Sequence, residues 1–413
     1  MKLVVFEDDS LAGFGPLTLT RHVGQLNRGT KPLLDALRES VTDATELSIW
    51  GRGHLKDLCR ESLGRGYNEK ADGLTTFVNA RARPGRMLLE LTSRKTPFVA
   101  LGGGQMVAAR VKGTDIVPGP IGKKDSVRIG RGIDRLQAPA DSLFGGYWDI
   151  VQSNGLAIAE QAKRVEDPLS LPSAVEVRGP RSNLRLDGRC DVELHVTLDT
   201  RLGPIIVDEG ASVESFSRIM GPCYIGPKTK VFSALIGGGT SIFEGCKTGG
   251  QVESSIIMPH TNKSHHGYLG DSYIGEWVNL GAGSTFGNLK NTYGNIRLDL
   301  GGKRFDSGML KLGAAVGDMS KVSIGALVYS GRLLGTGCQV AGLADRNVPS
   351  FAYSDGSGRM VELLIESILE TQRRMMERRG KTLTRVGETL IRWAFRSTSQ
   401  ERRKAGVIRG RLS

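Results

Sequence analysis

The 413-residue sequence has no apolar run long enough to span a bilayer, which excludes a membrane-spanning helix. It also lacks the basic start and extended apolar core of a secretory signal, because Met1–Phe6 reads as a strand and Asp8 and Asp9 follow at once. Its five cysteines, Cys59, Cys190, Cys223, Cys246 and Cys338, have no paired spacing. That argues against a disulfide framework or a zinc site and predicts a reducing, cytoplasmic setting. No stretch reads as a glycine-rich linker: the 56 glycines are dispersed and predict many tight turns instead. With 39% hydrophobic and 24% charged residues, the chain falls among folded globular proteins. Its length predicts two domains with an appendage, enough to bury a core without staples.

The charge is uneven. The net charge is +13, and from Ser357 onward 14 Lys and Arg residues face 6 Glu. Such a tail is either a solvated helical extension or a surface for nucleic acid, an acidic membrane or an acidic partner, which the sequence leaves unidentified. Within it, Met360, Val361, Leu364, Ile365, Ile368, Leu369 and Met375 recur at helical spacing. Leu383, Val386, Leu390 and Trp393 make a second amphipathic stretch. Packing on the rest of the chain, or on a neighbouring subunit, is the preferred reading over membrane binding.

A second period dominates the middle of the chain. Val207, Val213, Ile219, Ile225 and Val231 fall every six residues, and Ile236 and Ile242 continue after one shortened step. After an interruption, Val316, Val322, Val328, Leu334 and Val340 resume the same step. A period of six is neither a strand nor an α-helix. It fits a triangular coil with one inward aliphatic residue per face, stacked on like coils to share a core.

This hexapeptide pattern resembles the left-handed parallel β-helix of acyltransferases. The run Ser264-His265-His266-Gly267-Tyr268-Leu269-Gly270-Asp271, with Val278-Asn279-Leu280-Gly281-Ala282-Gly283, is similar to the acetyltransferase part of bifunctional GlmU-type enzymes. Those make UDP-N-acetylglucosamine and join a nucleotidyltransferase domain to a β-helix. The resemblance implies His265 as the base that deprotonates an acceptor, a task an imidazole suits because its ordinary pKa is about 6.5. His266 is its close competitor, since adjacent side chains of an extended coil point to opposite faces. It further implies that Tyr268 and Asn279 contact the acceptor and that Asn288 lies on the acceptor side. Gly281, Ala282 and Gly283 would admit acetyl-CoA close to the backbone. Residues 287–310 break the rhythm and must loop outward. Lys290, Arg297, Lys303 and Arg304 on that loop are cations for coenzyme or sugar phosphates, or simply solvated. A homotrimer is expected, because in the resembled fold the coenzyme lies between adjacent β-helices. One departure stands out. Where these enzymes place a lysine that holds the acceptor phosphate, this sequence has Glu253, with Lys263 offset. Glucosamine 1-phosphate is the lead acceptor, with another amino sugar or a sugar hydroxyl as alternatives.

The amino-terminal half alternates strands and helices, which predicts a doubly wound, mainly parallel α/β sheet. Strands are expected at Lys2–Glu7, Leu47–Trp50, Phe77–Ala80 and Phe98–Leu101. Helices are expected from Lys31, with Thr30 as cap, over His54–Ser62 and over Leu156–Lys163. Gly13-Phe14-Gly15-Pro16-Leu17-Thr18-Leu19-Thr20-Arg21 and Thr30-Lys31-Pro32-Leu33-Leu34 resemble a divergent opening of sugar nucleotidyltransferases. That likeness implies nucleotidyl transfer from a nucleoside triphosphate to a sugar 1-phosphate. Arg21, Arg28 and Lys31 would contact phosphate, and Asp8 and Asp9 would hold Mg²⁺ at a strand's carboxyl end. Asp149 is a further carboxylate candidate. The expected organisation is a nucleotidyltransferase-like domain over 1–165, a β-helix over 175–350 and a basic helical tail over 357–413. Two other readings stay open: a β-helix serving only as an oligomerisation scaffold, and a non-catalytic sugar-nucleotide-binding assembly subunit.

Overall fold

The computed structural model describes residues 2–42, 46–64, 66–122, 124–125, 133–163 and 170–410. The expected boundary at residue 165 and the last residues of the tail, 411–413, lie outside them. The first half is built on six strands: β1 (Lys2–Phe6), β2 (Glu46–Trp50), β3 (Leu74–Asn79), β4 (Phe98–Gly102), β5 (Gln105–Lys112) and β6 (Asp134–Gln137). Their order is β2-β1-β3-β5-β4-β6. The β2-β1-β3 group and the β4–β6 pair are parallel, as expected, but β5 runs antiparallel to both neighbours. Alternation along β1 decides its two faces: Leu3 and Val5 enter one core, Val4 and Phe6 another. Helices α1 (Leu33–Glu39), α2 (Lys56–Leu63), α3 (Arg86–Thr92), α4 (Tyr147–Gln152) and α5 (Asn154–Gln161) pack around the first of these cores. Helix α1 starts two residues later than expected. Lys31 and Pro32 pair with Asn27 and Arg28 as a short hairpin, and Thr30 bonds Gln161 instead of capping α1.

From Glu176 the chain forms a parallel β-helix. Strands of two to seven residues pair with equivalent strands one coil on, as in Val207↔Ile225, Ile225↔Ile242 and Val316↔Leu334. Every aliphatic residue of the six-residue rhythm is buried, from Val207 to Val340. The interruption between Ile242 and Val316 is not a break in the coils. Thr248 and Lys263 take the inward register positions that Val231 and Leu280 hold in neighbouring coils, so polar residues hide the rhythm. The outward loop is a hairpin, Arg297–Leu300 with Lys303–Asp306. It leans back on the first half, where Phe305 stacks on Trp148 at 4.8 Å.

The two halves share one core. The outward residues Ile206, Tyr224, Ile256, Tyr273 and Ala315 of one coil face join Leu3, Leu33, Ile150 and Ile158 of the first half. The tail forms α6 (Ile365–Glu377), α7 (Arg385–Ser397) and α8 (Ser399–Lys404). Met360 and Val361 belong to a strand rather than to the helix, and Leu364 is exposed. Ile368, Leu369, Ile391 and Ala394 cover Trp277, Met319 and Phe351 of the coils, so the amphipathic stretches pack internally. Among the described residues no helix is long and apolar enough to cross a membrane.

Candidate functional site

His265 and His266 sit in the turn between the coil strands Asn262–Lys263 and Tyr268–Gly270, and both are exposed. The turn is held from three sides. Gly283 N donates to His266 O at 2.9 Å from the next coil, and Gln251 N donates to Gly267 O at 3.1 Å from the preceding one. The third support comes from within. Lys263 points into the coil, only 2% exposed, and its Nζ donates to Gly249 O at 2.8 Å and His265 O at 2.9 Å. Burial pulls its ammonium down to about 8. Gly249 and Gly267 are required by this stacking: a Cβ on either would overlap the carbonyl of Ser264 or Ser284. The corner Gly281-Ala282-Gly283 therefore lies directly against the histidine corner, through His266.

Beside the corner, the structure gathers a polar cluster. Asn288 Nδ2 donates to Tyr268 Oη at 2.9 Å and to Asp271 Oδ2 at 2.5 Å. Gln251 Nε2 donates to Glu253 Oε1 at 2.6 Å, and Glu253 Oε2 stands 3.5 Å from Tyr268 Oη. Burial, with Glu253 and Asp271 nearby, pushes the Tyr268 phenol up to about 12. Burial also raises Asp271, against the pull of Asn288 and Lys311. Tyr268 and Asn288 are thus brought together, and Glu253 joins them. Gln251 and Asp271 were not foreseen. Asp271 stands in the quoted motif, but nothing local shows that it meets Asn288. Asn279 goes elsewhere: it lies in a different ladder, between Asn262 and Lys321. Lys290 closes its own loop on Asn295 O, and the hairpin with Lys303 and Arg304 leans on the first half.

The residues proposed for phosphate and Mg²⁺ in the first half are engaged otherwise. Arg21 is buried, with Nη2 at 2.6 Å from Asp318 and Nη1 at 3.2 Å from Glu276 of the coils. Burial opposes its charge, but the two carboxylates overcome this and raise its pKa. Arg28 bonds Ser153 through Nε and Nη2, and burial lowers it to about 10. Lys31 pairs with Glu39 at 2.7 Å. The turn at 12–18 is a wedge between halves, with Pro16 O accepting from Thr336 Oγ1.

Asp8 is 4% exposed and clamped by Arg81, with Nε–Oδ1 at 2.9 Å and Nη2–Oδ2 at 2.6 Å. Asn79 Nδ2 donates to it as well, at 2.8 Å. Asp149 faces Arg83 at 3.7 Å, and only Asp9 of the three candidates is exposed. Among the described residues no three His, Cys, Asp or Glu groups could hold an ion together. A carboxylate whose two oxygens are taken by a guanidinium is a poor Mg²⁺ ligand, so this donor set does not fit the metal.

Residues 3–168 match a family model described as sugar nucleotidyl transferase. The bifunctional protein GlmU of Azoarcus sp. (strain BH72) is 31% identical over 140 residues, covering 29% of this chain and 30% of that protein. Glucose-1-phosphate thymidylyltransferase of Streptomyces griseus is 29% identical over 150 residues, covering 36% of each. The chain therefore spans about a third of the length of these two relatives. The bifunctional protein GlmU of Sorangium cellulosum (strain So ce56) is 26% identical over 384 residues, covering 83% of this chain and 70% of that protein. With an α/β half that matches the sugar nucleotidyl transferase model running into hexapeptide coils, the chain is similar to GlmU-type proteins across both halves.

Proposed function

We propose that the protein is a transferase of sugar-nucleotide biosynthesis whose coil corner transfers an acetyl group from acetyl-CoA to an amino sugar. The observation that carries this reading is the corner itself. Exposed His265 has its carbonyl held from beneath by Lys263, and its neighbour His266 lies against Gly283 of the small-residue corner, while Tyr268 of the Tyr268–Asn288 pair follows on the next strand. The acceptor nitrogen attacks the thioester carbonyl, forming a C–N bond as the C–S bond breaks. His265 takes the nitrogen's proton, and the departing thiolate accepts a proton in turn. Small residues at 281–283 let the pantetheine arm lie against the backbone.

The likeness over residues 3–168 supports a second role for the first half, handling a nucleoside triphosphate and a sugar 1-phosphate. Mg²⁺ belongs to that reading, but the clamped Asp8 gives it no site. We take 1–165, 175–350 and 357–413 as the working units. A homotrimer is supported by an exposed apolar strip. Leu194, Phe216 and Ile324 turn outward on the corners and Leu235 and Leu327 on the Tyr268 ladder. Asn279, on the other side of the histidine corner, would then complete the site of an adjacent copy.

The test follows free thiol with acetyl-CoA and a panel of amino sugars. His265→Ala should abolish release and His266→Ala should spare it. Absence of thiol with every acceptor would sink the proposal.

A further inference from the structure

The acceptor side of the corner is lined by acid. Glu253 and Asp271 bracket Tyr268 and Asn288, and both are half-buried beside the histidine turn. The cluster is built, not incidental. Tyr268 and Asn288 fill the space over Gly270, where a Cβ would overlap the phenol and the amide. Glu253 Oε1, Tyr268 Oη and Asp271 Oδ2 are each engaged by Gln251 or Asn288. Glu253 Oε2 has the long 3.5 Å approach of Tyr268. An acceptor oxygen there would invite an N–H or O–H donor and repel an anion. A phosphate monoester carries close to two negative charges at neutral pH, and set beside two carboxylates in a half-buried site it meets repulsion that water only partly screens.

Resting on the acyl-transfer reading above, we infer that the acceptor is an amino sugar without a phosphate monoester. It is held by its hydroxyl or ammonium hydrogens on Glu253 Oε2 next to Tyr268. The site then discriminates by charge as well as by shape: Lys311 acts on Asp271, and Glu253 is left to repel a phosphorylated sugar. Glu253 is a specificity-determining residue in this scheme, and Gln251 a positioning residue that fixes its other oxygen.

The experiment uses the full chain, acetyl-CoA, and glucosamine paired with glucosamine 1-phosphate, with thiol release giving kcat/KM for each. The unphosphorylated sugar should be favoured by about tenfold or more, equivalent to about 1.4 kcal/mol. Glu253→Gln keeps the shape and removes the charge, so it should shrink that ratio toward one, mainly through KM for the phosphorylated sugar. Glu253→Lys should invert it. Preference of the unaltered protein for the phosphorylated sugar would overturn the inference while leaving acyl transfer intact. So would an unchanged ratio in both variants that still melt like the parent. Thiol release with neither sugar nor any other amine would overturn both readings together.

Discussion

Arg21 separates two readings of the amino-terminal half, and one substitution decides between them. If Arg21 serves a ligand phosphate, its loss harms binding and leaves the fold untouched. The structure instead buries it against Asp318, with Nη2 and Oδ2 2.6 Å apart. The side chains are 9% and 7% exposed, so solvent screening is slight. At an effective dielectric of about 20 the direct attraction is roughly 6 kcal/mol, most of it offset by the cost of drying both ions. Arg21→Met leaves Asp318 charged and buried, with Thr20 Oγ1 at 2.5 Å and Glu276 N at 2.8 Å as its remaining donors. Stranding a buried charge costs about 3–5 kcal/mol. For a chain of this size that lowers the melting temperature by about 5 °C, from an unfolding entropy of about 2 cal/mol/K per residue. Differential scanning calorimetry on Arg21→Met, Asp318→Asn and the double variant measures both the loss and the coupling. The double variant should recover part of the loss, because it no longer strands a charge. A melting temperature unchanged within a degree, together with lost substrate binding, would refute the structural assignment.

Two further outcomes follow from buried cations. The folded pKa of Lys263 is about 8, below its ordinary value of 10.5, because burial disfavours the charge. Between those values the unfolded chain holds the proton and the folded chain does not, so stability rises with pH across about 8 to 10.5. A neutral amine still has two hydrogens for its two carbonyl partners, Gly249 O and His265 O. Lys263→Met should remove this rise, read as the difference in denaturation midpoint from the parent protein at pH 7.5 and pH 10. A difference independent of pH would count against it. Arg402 is 2% exposed, bonds Glu362 at 2.7 Å and Phe395 O at 2.8 Å, and lies 4.3 Å over the Phe395 ring. Arg402→Leu should cost about 3–5 kcal/mol and loosen residues 399–410 from the coils. Limited proteolysis should then cut α8 first, and resistance equal to the parent's would contradict the assignment.

The coils were legible because the code for them is local: one inward aliphatic residue per six, repeated. It faded where Thr248 and Lys263 took inward positions, since neither a small buried threonine nor a lysine satisfied by coil carbonyls leaves a hydrophobic mark. The tail helices were legible by spacing, but not what they cover, because Trp277 and Met319 lie far off in sequence. The antiparallel β5 was missed because its pairing is set by the tight turn after β4, while strand composition is silent on direction. The segment Gly13–Arg21 admits two readings for a chemical reason. Glycine turns, threonine and arginine suit a phosphate, and they equally suit a tight wedge ending in a buried ion pair. The partner that decides, Asp318, is 297 residues away. At the candidate site the reverse held. Tyr268, Asn288 and Glu253 were singled out through the motif, whereas the contacts of Gln251 and Asp271 with them emerged only when the coils were stacked.

That stacking ties the acceptor cluster to the first half by a short run of contacts. Tyr147 of α4 donates its hydroxyl to Gly313 O at 3.0 Å. Gly313 N donates to Asp271 O at 2.9 Å, and Asp271 is the residue that holds Asn288. Two residues on, Tyr273 reaches the other way, its hydroxyl accepting from Asn27 N at 2.7 Å and donating to Asn27 O at 3.0 Å. The backbone on which Glu253, Tyr268 and Asp271 converge is therefore braced by the α/β half as well as by its own coils. A hydrogen-bonded brace of this kind fixes side chains more tightly than coil packing alone, because each link is buried and expensive to leave unmade. This gives the first half a mechanical reason to be joined to the coils whatever chemistry it performs: it is the abutment against which the acceptor corner is set.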